Sequence, residues 1–290
     1  MTATMDEPDE LSTLARDLHR LMEPIHTVSY FSPESRDAIA ACGFKGYWMG
    51  YFAARAAPLG AVGPAVVEAT FYNFAPDRVR RALPDAWTFA TPEEAMAARL
   101  TGATAALRRA ITDRSPGADD AAVLEPVVTV LERCADAAPS EGRVLFAAQR
   151  SAPAPAEADL LGRLWQAVTS LREHRGDGHV AALLTLGVSG RESHVLAAAR
   201  RGRTEPGMYA ALRDFTDEEW ALRQDSLRDQ GVLDEAGKAT QMGAVLIEEL
   251  EAVTDRRAST AYESLTDDEA AMLRSVLAPL SAAAKPEAAG

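Results

Sequence analysis

Only two cysteines, Cys42 and Cys134, occur in the 290 residues, each on an apolar stretch of helical pattern. Neither has a histidine beside it or a second cysteine at metal-ligand spacing, so both read as buried reduced thiols. A disulfide framework and a four-ligand zinc site are disfavoured on that ground. The one remaining route to a metal would be His26, His174 and His179 meeting in space. Long apolar runs are missing too: none reaches the roughly 20 residues that span a bilayer. The opening Met1-Thr-Ala-Thr-Met-Asp-Glu-Pro-Asp-Glu10 is acidic and has no hydrophobic stretch, so no signal peptide is expected. These absences point to a soluble cytoplasmic protein with no membrane partner.

Positive charge is also short. Thirty Lys and Arg stand against 43 Asp and Glu, a formal net charge of −13. That balance disfavours general attraction to nucleic acid, so DNA is a disfavoured partner. A local basic patch is still allowed, and Arg191, Arg200, Arg201, Arg203 and Arg213 form the densest basic region. Strand signals are few and short, and no repeat of fixed period is visible.

The hydrophobic fraction of 47% supports a sizeable core, and its spacing is helical. Leu11, Leu14, Ala15, Leu18, Leu21 and Met22 predict a helix that Pro24 ends. Ile25 to Phe31 reads as a connector. Ser32-Pro33 opens a helix, and so does Thr91-Pro-Glu-Glu94. Phe44 to Ala57 reads as a buried helix carrying Tyr47, Trp48, Tyr51 and Phe52. Asp113 to Asp120 is a polar linker, followed by a helix over Ala121 to Ala137. Arg143 to Ala147 reads as extended or loop. Gly187-Val-Ser-Gly190 reads as a helix-turn-helix turn, and residues 231–241 as a small β wing ahead of a helix opened by Thr240. The fold class expected is mainly α, with a helical N-terminal half and at least one winged-helix unit. The expected divisions are an acidic tail over 1–10, an N-terminal helical domain over 11–112, a helical and winged-helix domain over 121–260, and a C-terminal helix and tail over 261–290.

The densest chemistry lies in Leu171-Arg-Glu-His-Arg-Gly-Asp-Gly-His179. Charges so concentrated beside apolar helices are either a solvated kink, with the two glycines breaking the helix, or the polar floor of a pocket. In the pocket reading His174 and His179 form a general acid/base pair oriented by Glu173 or Asp177, with His26 as a third imidazole. Arg172, Arg175 or Arg55 holds an anionic group. Tyr30 donates a hydroxyl, Glu34 acts as a base or an arginine partner, and Trp48 and Tyr51 wall the cavity. In the kink reading Asp177 caps the helix starting near Gly178, and Arg55 pairs with Glu68 or Glu34. No cofactor is evident. Haem on a histidine or tyrosine fits only loosely.

Tyr30-Phe-Ser-Pro-Glu34 with Gly46-Tyr-Trp-Met-Gly-Tyr-Phe-Ala-Ala-Arg-Ala-Ala-Pro-Leu-Gly60 is one distinctive pair of stretches. Arg172 to Ala182 with Ala252-Val-Thr-Asp-Arg256 is another. Together they resemble an actinobacterial family of helix-turn-helix proteins, sometimes called SalK-like, over residues 10–260. The resemblance implies a winged-helix fold and an actinobacterial source, and says little about activity. The wing region is also similar to MarR-type regulators. A DNA glycosylase built from tandem winged helices ranks low, because its Gln-x-Gln-type motif is missing.

Three readings follow. The first is a small-molecule-binding winged-helix protein, an acid/base enzyme of specialised metabolism, with its pocket between the N-terminal helices and residues 172–179. The second is a ligand-responsive DNA-binding regulator. The third is an interaction protein whose winged helix makes a homodimer. The acidic candidate recognition helix, Asp217 to Asp229, favours the first over the second.

Overall fold

The structure, a computed structural model, describes residues 9–285. Apart from Asp9 and Glu10, the acidic tail expected over 1–10 lies outside the described residues. Fourteen α-helices follow in chain order: α1 (Glu10–Phe31), α2 (Pro33–Ala40), α3 (Gly46–Ala56), α4 (Pro64–Thr70), α5 (Pro76–Arg80), α6 (Pro92–Arg114), α7 (Ala121–Ala137), α8 (Val144–Arg150), α9 (Leu160–Thr185), α10 (Gly190–Ala199), α11 (Met208–Arg213), α12 (Asp217–Asp229), α13 (Gln241–Ser259) and α14 (Asp267–Ala284). Among the described residues no strand forms, and no helix is long and apolar enough to cross a membrane.

Side-chain caps set most of the helix starts. Thr91 and Glu94 close a reciprocal capping box on α6, and Ser32 accepts from the Ser35 amide with Pro33 in the first turn of α2. Thr240 accepts from the Gly243 amide and opens α13.

Three cores hold the molecule. The largest joins α1, α6, α7, α9, α13 and α14 around Leu18, Ile25, Leu107, Leu131, Leu164 and Leu273. It draws on both sides of the Asp113 to Asp120 linker. A second core packs α3 to α5 around Phe52, Phe71, Phe74 and Leu83. The third gathers the end of α9 with α10, α12 and α13, with Leu183, Val195, Leu196, Phe215, Trp220, Leu227 and Leu250 at its centre.

This third core docks on the second through the segment after α4. Gly190 lets the start of α10 close on that segment, since a Cβ there would lie 2.0 Å from the Tyr72 carbonyl oxygen. The Tyr72 hydroxyl donates to the Val188 carbonyl at 2.9 Å, and His194 Nε2 meets the Asn73 carbonyl at 3.0 Å. Asp214, at φ +59°, accepts from both Arg78 and Arg81 of the neighbouring core.

Four expectations are corrected. Pro24 does not end α1, which runs on to Phe31. Proline cannot donate to the carbonyl one turn back, but Met22, Ile25, His26 and Val28 around it are all buried, and that packing outweighs the lost bond. The segment 172–179 is no kink: α9 runs unbroken for 26 residues through both glycines. Arg143 to Ala147 is not extended, because Val144 onward is α8. The β wing is reduced to one isolated bridge, Leu233 to Ala239, closed by Asp234 N–H to the Lys238 carbonyl at 2.8 Å. Thr240 returns its amide to the Val232 carbonyl at 3.1 Å and at once caps α13, so the pairing ends after one bridge.

Candidate functional site

With α1 continuous through Pro24, Glu23, Thr27 and Tyr30 fall at i, i+4 and i+7 on one face. That face meets α9 at Arg172, Glu173 and Gly176, and α3 at Tyr51 and Arg55, around a cavity of about 210 Å³. Arg213, the last residue of α11, closes the far side.

Three guanidiniums, of Arg55, Arg172 and Arg213, and three carboxylates, of Glu23, Glu173 and Asp177, line it. Glu173 is almost fully buried and bridges two arginines: Arg172 Nη1 lies 3.1 Å from Oε2 and Arg55 Nη2 lies 3.5 Å from the same oxygen. Arg172 also reaches Glu23 at 3.3 Å. Burial alone would raise the Glu173 and Glu23 pKa values, but Arg172 outweighs it at Glu23, and Arg172, Arg55 and Arg99 outweigh it at Glu173, so both stay below the usual range and ionised. Arg55 Nη1 donates to the Tyr51 hydroxyl at 3.4 Å, and its guanidinium lies 4.2 Å from the centre of the Phe71 ring. Arg213 lies over Phe74 at 4.2 Å and donates to its neighbour's carbonyl, Leu212 O, at 3.2 Å. Among the described residues no carboxylate pairs with it. Guanidiniums and carboxylates balance in number around the cavity, but Arg213 is the one arginine of its lining that no carboxylate pairs with among the described residues, which suits a small anion at Arg213.

Of the candidates from sequence, Arg172, Glu173, Asp177, His179, Tyr30, Arg55, Trp48 and Tyr51 line this cavity. His26, His174, Arg175 and Glu34 do not. His26 is fully buried between Thr169 and Tyr30, with Nδ1 3.0 Å from Thr169 Oγ1 and Nε2 2.8 Å from the Tyr30 hydroxyl. His174 points to the other side of α9 and meets Phe146 edge-on at 4.9 Å. Arg175 pairs with Asp255 at 2.8 Å, and Glu34 with Arg109 at the surface. Asp177 does not cap its own helix. Its carboxylate accepts from the Phe146 amide at 3.0 Å and so caps α8 from outside, while burial pushes its pKa up to about 6. Arg55 pairs with Glu173, not with Glu68 or Glu34.

The imidazoles do not converge. His179 Nδ1 meets Thr254 Oγ1 at 3.0 Å, while His26 and His174 keep the separate neighbours just named. Burial lowers all three: His179 to about 4, His174 to about 3, and His26 well below its ordinary value. They are neutral at pH 7 and sit far from the value that suits a general base. Among the described residues no cluster of three His, Cys, Asp or Glu could hold a metal.

Sequence reasoning missed Glu23 and Arg213. Glu23 was hidden by ending α1 at Pro24; its i, i+4, i+7 spacing to Thr27 and Tyr30 was a usable signal. Arg213 stood out only as part of a basic region, and nothing local ties it to Arg172.

The sequence pattern of one family, described as a helix-turn-helix family, matches residues 15–289. No curated protein and no solved structure matches the chain.

Proposed function

The chain belongs to this helix-turn-helix family, and from that premise we propose that it is a ligand-responsive DNA-binding regulator whose effector is a small anion held among Arg55, Arg172 and Arg213. One observation carries the reading. Arg213 ends α11 just ahead of α12, yet its side chain lines a cavity whose opposite walls are α1 and α3. An anion drawn to Arg213 and Arg172 together bears directly on where α11 and α12 sit. A ligand shifts such an equilibrium only through contacts that differ between the two arrangements, and Arg213 is such a contact. Phosphate contacts in this reading fall to Arg200, Arg201 and Arg203, all exposed at and after the end of α10.

The test is fluorescence anisotropy with duplexes tiled across the DNA flanking the protein's own coding sequence. Binding should weaken steeply with salt, and small anions should change it in the native chain but not in Arg213→Gln. A chain that binds none of these duplexes at low salt is no regulator of this kind.

A second reading has its own observation. The outward residues of α12 include Asp217, Glu218, Asp225 and Asp229, all exposed, and that face is repelled by phosphate. It favours a small-molecule-binding protein, with or without catalysis, whose winged unit is a scaffold. This reading keeps anion binding in the cavity and expects no DNA affinity at any salt concentration.

A further inference from the structure

A second chamber lies on the other side of Tyr30, Tyr47 and Tyr51, which line both spaces. Its volume is about 300 Å³, and Ile39, Phe44, Gly50 and Ala54 give it an apolar wall. Two buried polar groups that also line it have no hydrogen-bond partner among the described residues: Ser35 Oγ, and the Nε and Nη2 of Arg99. Ser35 is 1% exposed and Arg99 3%.

The geometry around Arg99 is specific. Its Nη1 donates to Gln149 Oε1 at 3.3 Å, and Gln149 does not line the chamber. Its Cζ lies 4.9 Å from the centre of the Trp165 ring. Nε and Nη2 form one edge of the guanidinium, the edge that grips a carboxylate with two parallel N–H···O bonds. Among the described residues no carboxylate stands within ion-pair distance. A buried arginine without a counter-charge is strongly unfavourable, so the open edge of Arg99, a residue that lines this chamber, favours an anion there, with Arg36 and the exposed Asp37 the other charged groups of the lining. Ser35 is brought beside it by close packing of α2 on α6: a Cβ at Gly102, one turn along from Arg99, would lie 2.5 Å from Ser35 Cα. The Ser35 hydroxyl supplies a further donor.

We propose that this chamber binds a small apolar monocarboxylate, with the carboxylate on the Nε and Nη2 edge of Arg99 and on Ser35 Oγ, and the hydrocarbon body against Ile39, Phe44 and Ala54. The volume equals about ten water molecules, which sets the ligand at about ten heavy atoms. The proposal concerns a different chamber from the effector cavity and does not depend on DNA being bound.

Octanoate, with its ten heavy atoms, is the probe, and octanamide its uncharged counterpart. Calorimetric titration of the full chain should give one site, with octanoate bound at least about tenfold more tightly than octanamide. Arg99→Met should remove that preference while keeping the fold, because replacing a buried unpaired charge by an apolar side chain is neutral or stabilising. Ser35→Ala should weaken octanoate about fivefold, the loss of one hydrogen bond. Equal affinities for octanoate and octanamide in the native chain, no octanoate binding, or a preference that survives Arg99→Met would each overturn the assignment. The native-chain comparison stands even if Arg99→Met fails to fold. A chain that binds octanoate but no DNA would sink only the regulator reading, and one that binds DNA but not octanoate would sink only this one.

Discussion

The guanidinium of Arg143 occupies the space that a side chain at position 178 would take. A Cβ on Gly178 would lie 2.7 Å from Arg143 Nη1 and 3.3 Å from Arg257 Cβ. From that notch Arg143 donates to the His174 carbonyl on α9 and to the Arg257 carbonyl on α13, the latter at 2.7 Å. The glycine that looked like a helix breaker is thus a seat for a side chain that ties two helices together.

Gly178→Ala tests this with a sign change. In the native chain it should destabilise by about 1–3 kcal/mol, because the guanidinium is pinned at both ends and must give way. In an Arg143→Ala background the same change should stabilise by up to about 1 kcal/mol, the ordinary helix preference of alanine over glycine. Urea unfolding of the four proteins gives the cycle. The same sign in both backgrounds would dismiss the notch.

All five histidines have lowered pKa values, with burial the first cause in each: His19 and His179 to about 4, His174 and His194 to about 3, and His26 well below the ordinary 6.5. Between those values and about 6.5 the unfolded chain binds protons that the folded chain refuses, so their contribution is full above pH 6.5 and is lost as pH falls toward 4. Each contributes about 1.4 kcal/mol per pH unit inside that window. Asp177, raised to about 6 by burial, works in the opposite direction but is a single group. The melting temperature should therefore fall steeply from pH 7 to pH 5. Imidazole proton shifts in NMR should show no histidine titrating between pH 6 and 8. An imidazole that titrates near 7 would restore the acid/base pair read from the sequence.

Glu173 is the shared counter-ion of Arg55 and Arg172. Glu173→Gln should destabilise by about 3 kcal/mol, since the largely buried Arg55 loses its carboxylate and Arg172 is left with Glu23 alone. Added sulfate should recover more of the melting temperature in this variant than in the native chain, because an anion replaces the lost charge. Equal response to sulfate in the two proteins would mean that solvent reaches the cavity freely and no anion is held there.

Pro24 sits half-buried inside α1 without an amide to donate. Pro24→Ala should restore that bond and stabilise the chain by about 1–3 kcal/mol. Thermal unfolding checks it. A loss of stability would show that the proline ring's own packing holds α1 in place.

Much of the helical framework was legible because its signals are short-range. Thr91 with Glu94, Ser32 with Pro33, and Thr240 act across three residues, so a reader of the sequence sees the whole interaction. Errors came where packing overrode a local rule, at Pro24 in α1 and at Gly176 and Gly178 in α9. In each case buried neighbours or a fitted side chain outweighed about 1–3 kcal/mol of intrinsic preference.

The site divides along the same line. Its ingredients, the arginines and acids of 172–179, the tyrosines, and Arg55, were visible as residue types. Which of them meet was decided only by the fold. Arg172 and Arg175 are one turn apart on the same face of α9, yet one pairs with Glu23 and Glu173 and the other with Asp255, because α1 supplies the partner at one turn and α13 at the next. Arg213 reaches its cavity from 158 positions beyond Arg55, and no pattern along the chain encodes such a meeting. The sequence by itself determined where helices begin, that they are amphipathic, and that the chain carries a helix-turn-helix unit, because those depend on contacts within a turn or two. The tertiary structure decided which charges share a buried space and which arginine edge has no partner among the described residues, because those depend on helices distant in the chain packing side by side.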